Sequence, residues 1–329
     1  MRSLTIAQAM NEALREEMGR DPSVYVTGLG LYPSTSQAAT TGLVDEFGEL
    51  RVRNAPMSET VIAGSCVGAA LAGMRPVAEL HLADFAFCAL DEILSKAGKW
   101  RYTHGANDEM NLPIVFLQGI GGYVSAGSEH SQSPLALYWH SPGLKIAAPT
   151  TPHDAKGLLK TAVRDDNPVL FFTHKLLGRE EGPVPDDEYL IPFGVAEVRR
   201  VGSDVTVVAT SYMVNLALQA AESLASQGVE VEVVDPRTLE PLDIDTIVES
   251  VRKTGRLVVV DEDTERCGVG AEIGAQVMER AFEALQAPVG RVANPNLPVP
   301  YSPPLEKAML PSVAKIEAAI LATLPAGDR

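Results

Sequence analysis

The stretch RVRNAPMSETVIAGSCVGAALAGMRPV, residues 51–77, sets one glutamate, Glu59, at the mouth of a helix made almost entirely of small residues. Alanines and glycines recur with Ser65 and Cys66 along residues 61–73, the composition a helix needs when another backbone must approach it closely. Such a helix is a packing wall, and its first turn can present chemistry. The run that opens at Arg75 then reads as a strand, so the stretch is one helix-to-strand step.

Working outward, short β-branched runs alternate with longer helical patterns, the signature of parallel sheets with crossover helices. Strands are expected at 24–27, 75–80, 113–118, 144–148 and 169–173. The stretch REEGPVPDDEYLIP, residues 179–192, breaks the pattern with three prolines and five acids and reads as a linker. Beyond it, strands at 204–210, 230–234 and 256–260 alternate with helices at 213–227, 243–253 and 270–285, and a helix near 312–324 closes the chain. The predicted architecture is α/β in two domains, residues 1–178 and 193–329, each a mainly parallel sheet flanked by helices.

A length of 329 residues suits two domains, each able to bury its own core. Apolar residues at 46% and charged residues at 21% exclude disorder. The formal charge of -16 argues against nucleic acid or an anionic membrane as partner, since either needs clustered Lys and Arg. The opening MRSLTIAQAMNEALREEM reads as an amphipathic helix with a Thr5 to Gln8 capping box, not as a secretion signal, and no stretch is long enough to span a bilayer. The cytoplasm is therefore the expected compartment. Cys66, Cys88 and Cys267 are far apart and odd in number, which argues against a disulfide framework or a zinc site. His81, His104, His130, His140, His153 and His174 all precede residue 179, so acid–base chemistry is expected in the first domain.

The glycine-rich segments CGVGAEIG (267–274) and GIGG (119–122) do not match a dinucleotide fingerprint, and turns or helix starts explain them. P-loop, GxSxG and HExxH motifs are absent. Taken alone, Glu59 reads as a first-turn acid favoured by the helix dipole, His130 as a loop histidine and Phe85 as a core residue. Asp261, Glu262 and Asp263 follow a strand and read as solvated.

Read in order, these segments gain a common meaning. The RVRNAPMSE block, HLADFAFCALDEI, the EHSQS loop, HSPGLKIAAPTTPHDAKGLLKTAVRDDNPV, VVDPRTLEPLD, KTGRLVVVDE, CGVGAEI and PVPYSPPLE are collinear along nearly the whole chain. Together they resemble the β subunits of the thiamine-diphosphate-dependent decarboxylating component of 2-oxo acid and acetoin dehydrogenase complexes. FFTHKLLG, VDPRTLEPLD and DEDTERCGVGAEI look closest to the acetoin-type branch. The resemblance implies a transketolase-like pyrimidine-binding domain followed by a transketolase C-terminal-like domain for subunit pairing and core docking.

It also implies roles. Glu59 falls on the glutamate that hydrogen-bonds the pyrimidine N1′ of the cofactor, and Phe85 on the aromatic that packs against that ring. His130 falls on the active-site histidine that assists proton and acyl transfer to a lipoyl group. His81 stands where relatives carry a residue facing the substrate. A potassium ion held by main-chain carbonyls is implied near Ile114, Ala162, Asp165 and Asn167. The GDG motif that holds the Mg2+ of thiamine diphosphate is absent, so an α subunit is expected to supply it, in an α2β2 assembly docked on a lipoyl acyltransferase core. Three places depart from the family: Gly28-Leu29-Gly30 where relatives show glycine and two acids, Leu117 where they tend to have Arg, and Glu129 where they have Gln. Those departures favour a rival on the same scaffold, a two-subunit acyl or ketol transferase; against a second rival, a non-catalytic assembly subunit, stands the retention of Glu59, Phe85 and His130.

Overall fold

A computed structural model describes residues 2–32, 38–105 and 110–325. The chain divides into two compact units, one of residues 1–120 and 138–193, the other of residues 121–137 and 194–329. In order, the first 193 residues hold β1 (Arg2–Thr5), α1 (Ile6–Arg20), β2 (Val24–Gly28), α2 (Leu43–Phe47), β3 (Val52–Asn54), α3 (Glu59–Leu71), β4 (Arg75–Leu82), α4 (Gly98–Thr103), β5 (Val115–Ile120), α5 (Leu135–Trp139), β6 (Lys145–Ala147), α6 (Pro152–Arg164), β7 (Val169–His174) and β8 (Glu181–Val184). After them come β9 (Glu197–Arg200), β10 (Val205–Ala209), α7 (Tyr212–Ala225), β11 (Val231–Asp235), β12 (Thr238–Glu240), α8 (Ile244–Thr254), β13 (Leu257–Thr264), α9 (Val269–Ala281), β14 (Gly290–Asn294), α10 (Pro303–Met309) and α11 (Val313–Thr323).

Within the first unit the parallel strands lie in the order β6-β7-β5-β4-β2-β3. Strands β2, β4, β5 and β7 read as near-continuous apolar runs because helices cover both faces of such a sheet. α1 begins where the sequence predicts: Thr5 caps Gln8 N–H at 3.1 Å while the Gln8 side chain accepts from Thr5 N at 2.9 Å. Its buried face, Ile6, Met10, Ala13, Leu14 and Met18, follows the helical repeat, and the helix packs on α6.

Beside that face runs an ion network. Lys156 and Lys160 are fully buried, yet their ammonium groups reach Glu16 at 2.6 Å each. Arg164 binds the wholly buried Glu17 at 2.7 Å. Charges taken out of water persist only where opposite charges and hydrogen bonds replace hydration.

The stretch 179–192, expected as a linker, carries β8, which pairs antiparallel with β1 from Arg2↔Val184 to Thr5↔Glu181. Further along, Thr161 Oγ1 donates to Ile191 O at 2.7 Å, and this whole stretch belongs with the first unit. Local composition could not show this, because the pairing partner lies at the other end of the unit.

In the second unit β14, β13, β10 and β11 are parallel, with β9 antiparallel at the edge. Valines of β10, β11 and β13 pack with Met213, Ala217 and Leu224 of α7 and with Ile316 and Ile320 of α11. No described helix is long and apolar enough to cross a membrane. Glu17→Ala leaves Arg164 and Lys160 short of a buried partner, so it is expected to lower unfolding stability by about 3 kcal/mol in urea titration; a loss under about 1 kcal/mol would show that water replaces the carboxylate.

Candidate functional site

The strand order creates a switch point. From β2 the chain moves to β3 on one side, whereas from β4 it moves to β5 on the other, and ligands settle outside the carboxyl ends of strands at such a reversal. Gly28 ends β2, Glu59 opens α3 just after β3, and His81 stands at the end of β4 with Phe85 in the 3₁₀ turn beyond it.

β4 is bulged at its end. Its pairing with β5 shifts register between Glu79 and Leu82, and His81 takes φ 63°, a left-handed conformation that side chains rarely adopt. His81 N–H donates to Glu79 Oε1 at 2.9 Å, holding the kink. Glycines on both neighbouring strands make room for it. A Cβ on Gly28 would overlap the Glu79 backbone, and one on Gly119 would lie 2.9 Å from His81 O. Glu79 is only 4% exposed, and burial pushes its carboxyl up to about 8 against the pull of the His81 N–H. Sequence reading passed over Glu79, although a lone acid inside RPVAELHL was a visible signal.

Glu59 is half-buried in the first turn of α3, where the helix dipole favours a negative charge. The adjacent Thr60 donates its hydroxyl to Cys88 O at 2.6 Å, tying the helix start to the turn Phe85–Ala89. Small residues permit that approach. A Cβ on Gly64 would sit 3.3 Å from the Glu92 carboxylate, in the π-helical turn Asp91–Ala97. Phe85 is half-buried. Leu117 is a fully buried β5 residue. Beside it in sequence, the Gln118 amide is buried next to the buried Tyr138 hydroxyl. Glu59, His81 and Phe85 thus converge on one end of the first unit's sheet.

His130 belongs to the second unit. It is half-buried, its N–H donates to Gly127 O at 3.2 Å, and Gly121 N–H donates to Gln132 O at 2.9 Å, closing the loop on itself. The neighbouring Ser131 hydroxyl is buried with no hydrogen-bond partner among the described residues. The acids read as solvated prove otherwise: Asp261 and Glu262 are buried. Donors from distant segments reach them, namely Thr210 Oγ1 to Asp261, Gly122 N to Glu262 Oε1 at 2.5 Å and Ala136 N to Asp263 Oδ2 at 2.9 Å. Burial and the nearby Asp263 charge push the Asp261 carboxyl up to about 8.

The carbonyls considered for potassium are partly engaged. Ile114 O accepts from Val169 N at 2.8 Å, Ala162 O from Asp165 N at 3.3 Å, and Asp165 O from the Arg75 guanidinium at 3.0 Å. Asn167 turns its side-chain amide to Asp165 Oδ1 at 2.9 Å. Among the described residues no group of three or more His, Cys, Asp or Glu side chains could hold a metal ion.

Residues 2–181 match the transketolase pyrimidine binding domain, and residues 194–316 the transketolase C-terminal domain. The chain is 44% identical to the acetoin:2,6-dichlorophenolindophenol oxidoreductase subunit beta of Cupriavidus necator, over 99% of either chain. It is 44% identical to the 2-oxoisovalerate dehydrogenase subunit beta of Bacillus subtilis, covering 97% of this chain and 98% of that one. With the pyruvate dehydrogenase E1 component subunit beta of Rhizobium meliloti it shares 41% identity, covering 98% of this chain and 70% of the other. A solved split gene transketolase, described as an inactive beta4 tetramer, shares the fold at TM-score 0.79 and 24% identity, with 98% of each chain covered.

Glu79 yields a pH test. Because its folded value of about 8 lies above the ordinary 4.5, its contribution is fully present below pH 4.5 and is lost as pH rises through 8. Glu79→Gln should therefore gain stability relative to the parent between pH 5 and 8, levelling off above, in urea unfolding at a series of pH values. A difference flat across that range would mean that Glu79 is ionised throughout.

Proposed function

The chain belongs to the family of β subunits of thiamine-diphosphate-dependent 2-oxo acid and acetoin dehydrogenases, and from that premise we propose that Glu59, Phe85, His81 and His130 form its working residues. The observation that carries this reading is that a half-buried first-turn carboxylate of α3 and a half-buried aromatic of the Phe85–Ala89 turn, elements tied together by Thr60 Oγ1 to Cys88 O, both follow strands flanking the switch point of a parallel sheet. An acid and a flat apolar face are what an aminopyrimidine needs for recognition.

When bound, thiamine diphosphate supplies a carbon nucleophile and an electron sink for cleavage next to a carbonyl. Glu59 holds a proton at the pyrimidine N1′ and so tunes the basicity of the amino group on the same ring. Phe85 supports the ring face and excludes water from it. His81, carried on the β4 bulge, meets the substrate and sets its size and polarity. His130 exchanges protons as the acyl unit leaves for a lipoyl group.

Mg2+ belongs with the α subunit. The absence of a GDG motif and a net charge of -16 both support a partner that neutralises the diphosphate. The same reading extends to α2β2 assembly, docking on a lipoyl acyltransferase core, and a cytoplasmic location. Potassium at the carbonyls of Ile114, Ala162, Asp165 and Asn167 is its weakest element, since Arg75 already brings a positive charge to Asp165 O.

The test is reconstitution with the α subunit and parallel assay of pyruvate, branched 2-oxo acids and acetoin. Glu59→Gln is expected to lower kcat at least about 100-fold with unchanged melting, whereas wild-type turnover would remove Glu59 from the mechanism and favour an assembly role. Phe85→Ala is expected to raise the cofactor Kd about tenfold by isothermal titration, and an unchanged Kd would detach Phe85 from the ring.

A further inference from the structure

We propose that Glu306 and Glu262 are positioning residues for His130, acting through the strained loop that carries it; the proposal rests on the role given to His130 above. The loop enters the left-handed region at alternate residues, Gly121 at φ 93°, Tyr123 at 66°, Ser125 at 54° and Gly127 at 79°. Tyr123 and Ser125 bear side chains there, and a conformation of that kind persists only where its surroundings over-determine it.

The surroundings are two buried carboxylates. Left-handed and ordinary residues in alternation aim backbone N–H groups into a concavity that grips anions. Here the anions are side chains of the second unit. Gly122 N donates to Glu262 Oε1 at 2.5 Å, while Ser125 N and Oγ donate to Glu306 Oε2 at 2.9 and 3.0 Å. A Cβ on Gly122 would lie 3.3 Å from Glu306 and 3.4 Å from Glu262, so both acids flank the same peptide and any side chain there would crowd them.

Further anchors lie on either side. Tyr123 OH donates to Pro311 O at 2.9 Å, and the Tyr301 ring covers Gly127, whose carbonyl accepts from His130 N at 3.2 Å. Asp263 then takes Ala136 N beyond the histidine. Residues between 262 and 311 thereby fix the backbone before and after His130. Burying two carboxylates near one another is unfavourable in itself, and it is sustained here by the loop amides they hold. The placement of the imidazole is what that arrangement secures.

The experiment is a double-mutant cycle in the reconstituted complex, joined to hydrogen exchange of residues 121–130. Glu306→Ala is expected to lower kcat about tenfold with the substrate KM within about twofold, and Glu306→Gln, which keeps an acceptor for Ser125 N, to recover most of that loss. The double variant with His130→Ala should be no slower than His130→Ala alone. Loop amides should exchange at least about tenfold faster in Glu306→Ala. A multiplicative loss in the double variant, or unchanged exchange, would overturn the proposal. If Glu306→Ala does not assemble, Ser125→Ala carries the same cycle with an expected loss of about twofold to threefold. His130→Ala at wild-type turnover would sink the functional reading and the positioning role with it, whereas an impaired His130→Ala beside unchanged loop exchange would sink the positioning role alone.

Discussion

One hydrogen bond, from His81 N–H to the buried Glu79 carboxyl, governs how the first unit's sheet ends. It lets β4 slip register beside β5 without leaving a buried donor unpaired. The kink fits only because β2 and β5 each offer a glycine to it, Gly28 against Glu79 and Gly119 against His81. A bulge of this sort re-aims side chains at a rim. The sheet's switch point says where a ligand should sit, and the bulge decides which side chain it meets there.

Much of this architecture was legible in the residues. Alternating β-branched runs and helical patterns gave two parallel α/β sheets, and Thr5 with Gln8 gave the start of α1, because periodicity and capping are local properties. The β1–β8 ribbon was not legible, since Gly182-Pro183-Val184 looks like a linker until a strand 178 residues away pairs with it. The same reason applies to Asp261 and Glu262. Three acids after a strand look solvated, and only donors from Thr210 and Gly122 reveal that they are buried. Glu59, Phe85, His81 and His130 were named from collinear motifs, while Glu79 and Glu306 were passed over because they act on backbone N–H groups, which leave no motif.

Sequence order and structural unit also part company. Residues 121–137 lie within the stretch matched by the pyrimidine binding domain, yet they cluster with the second unit. Their hydrogen bonds to Glu262, Asp263 and Glu306 are the physical reason. The second unit therefore includes the peptide that bears His130.

That arrangement bears on how the polypeptide matures as it leaves the ribosome. All the strands that the first unit gives to its parallel sheet precede residue 175, but the carboxylates that hold the segment bearing His130 come later, Glu262 in β13 and Glu306 in α10, the last more than a hundred residues beyond β7. Throughout that interval the loop lacks the Glu306 carboxylate to which Ser125 donates in the folded protein. A chain that stops before Glu306 lacks the acceptor of Ser125 N and Oγ, so the loop that bears the histidine loses that anchor.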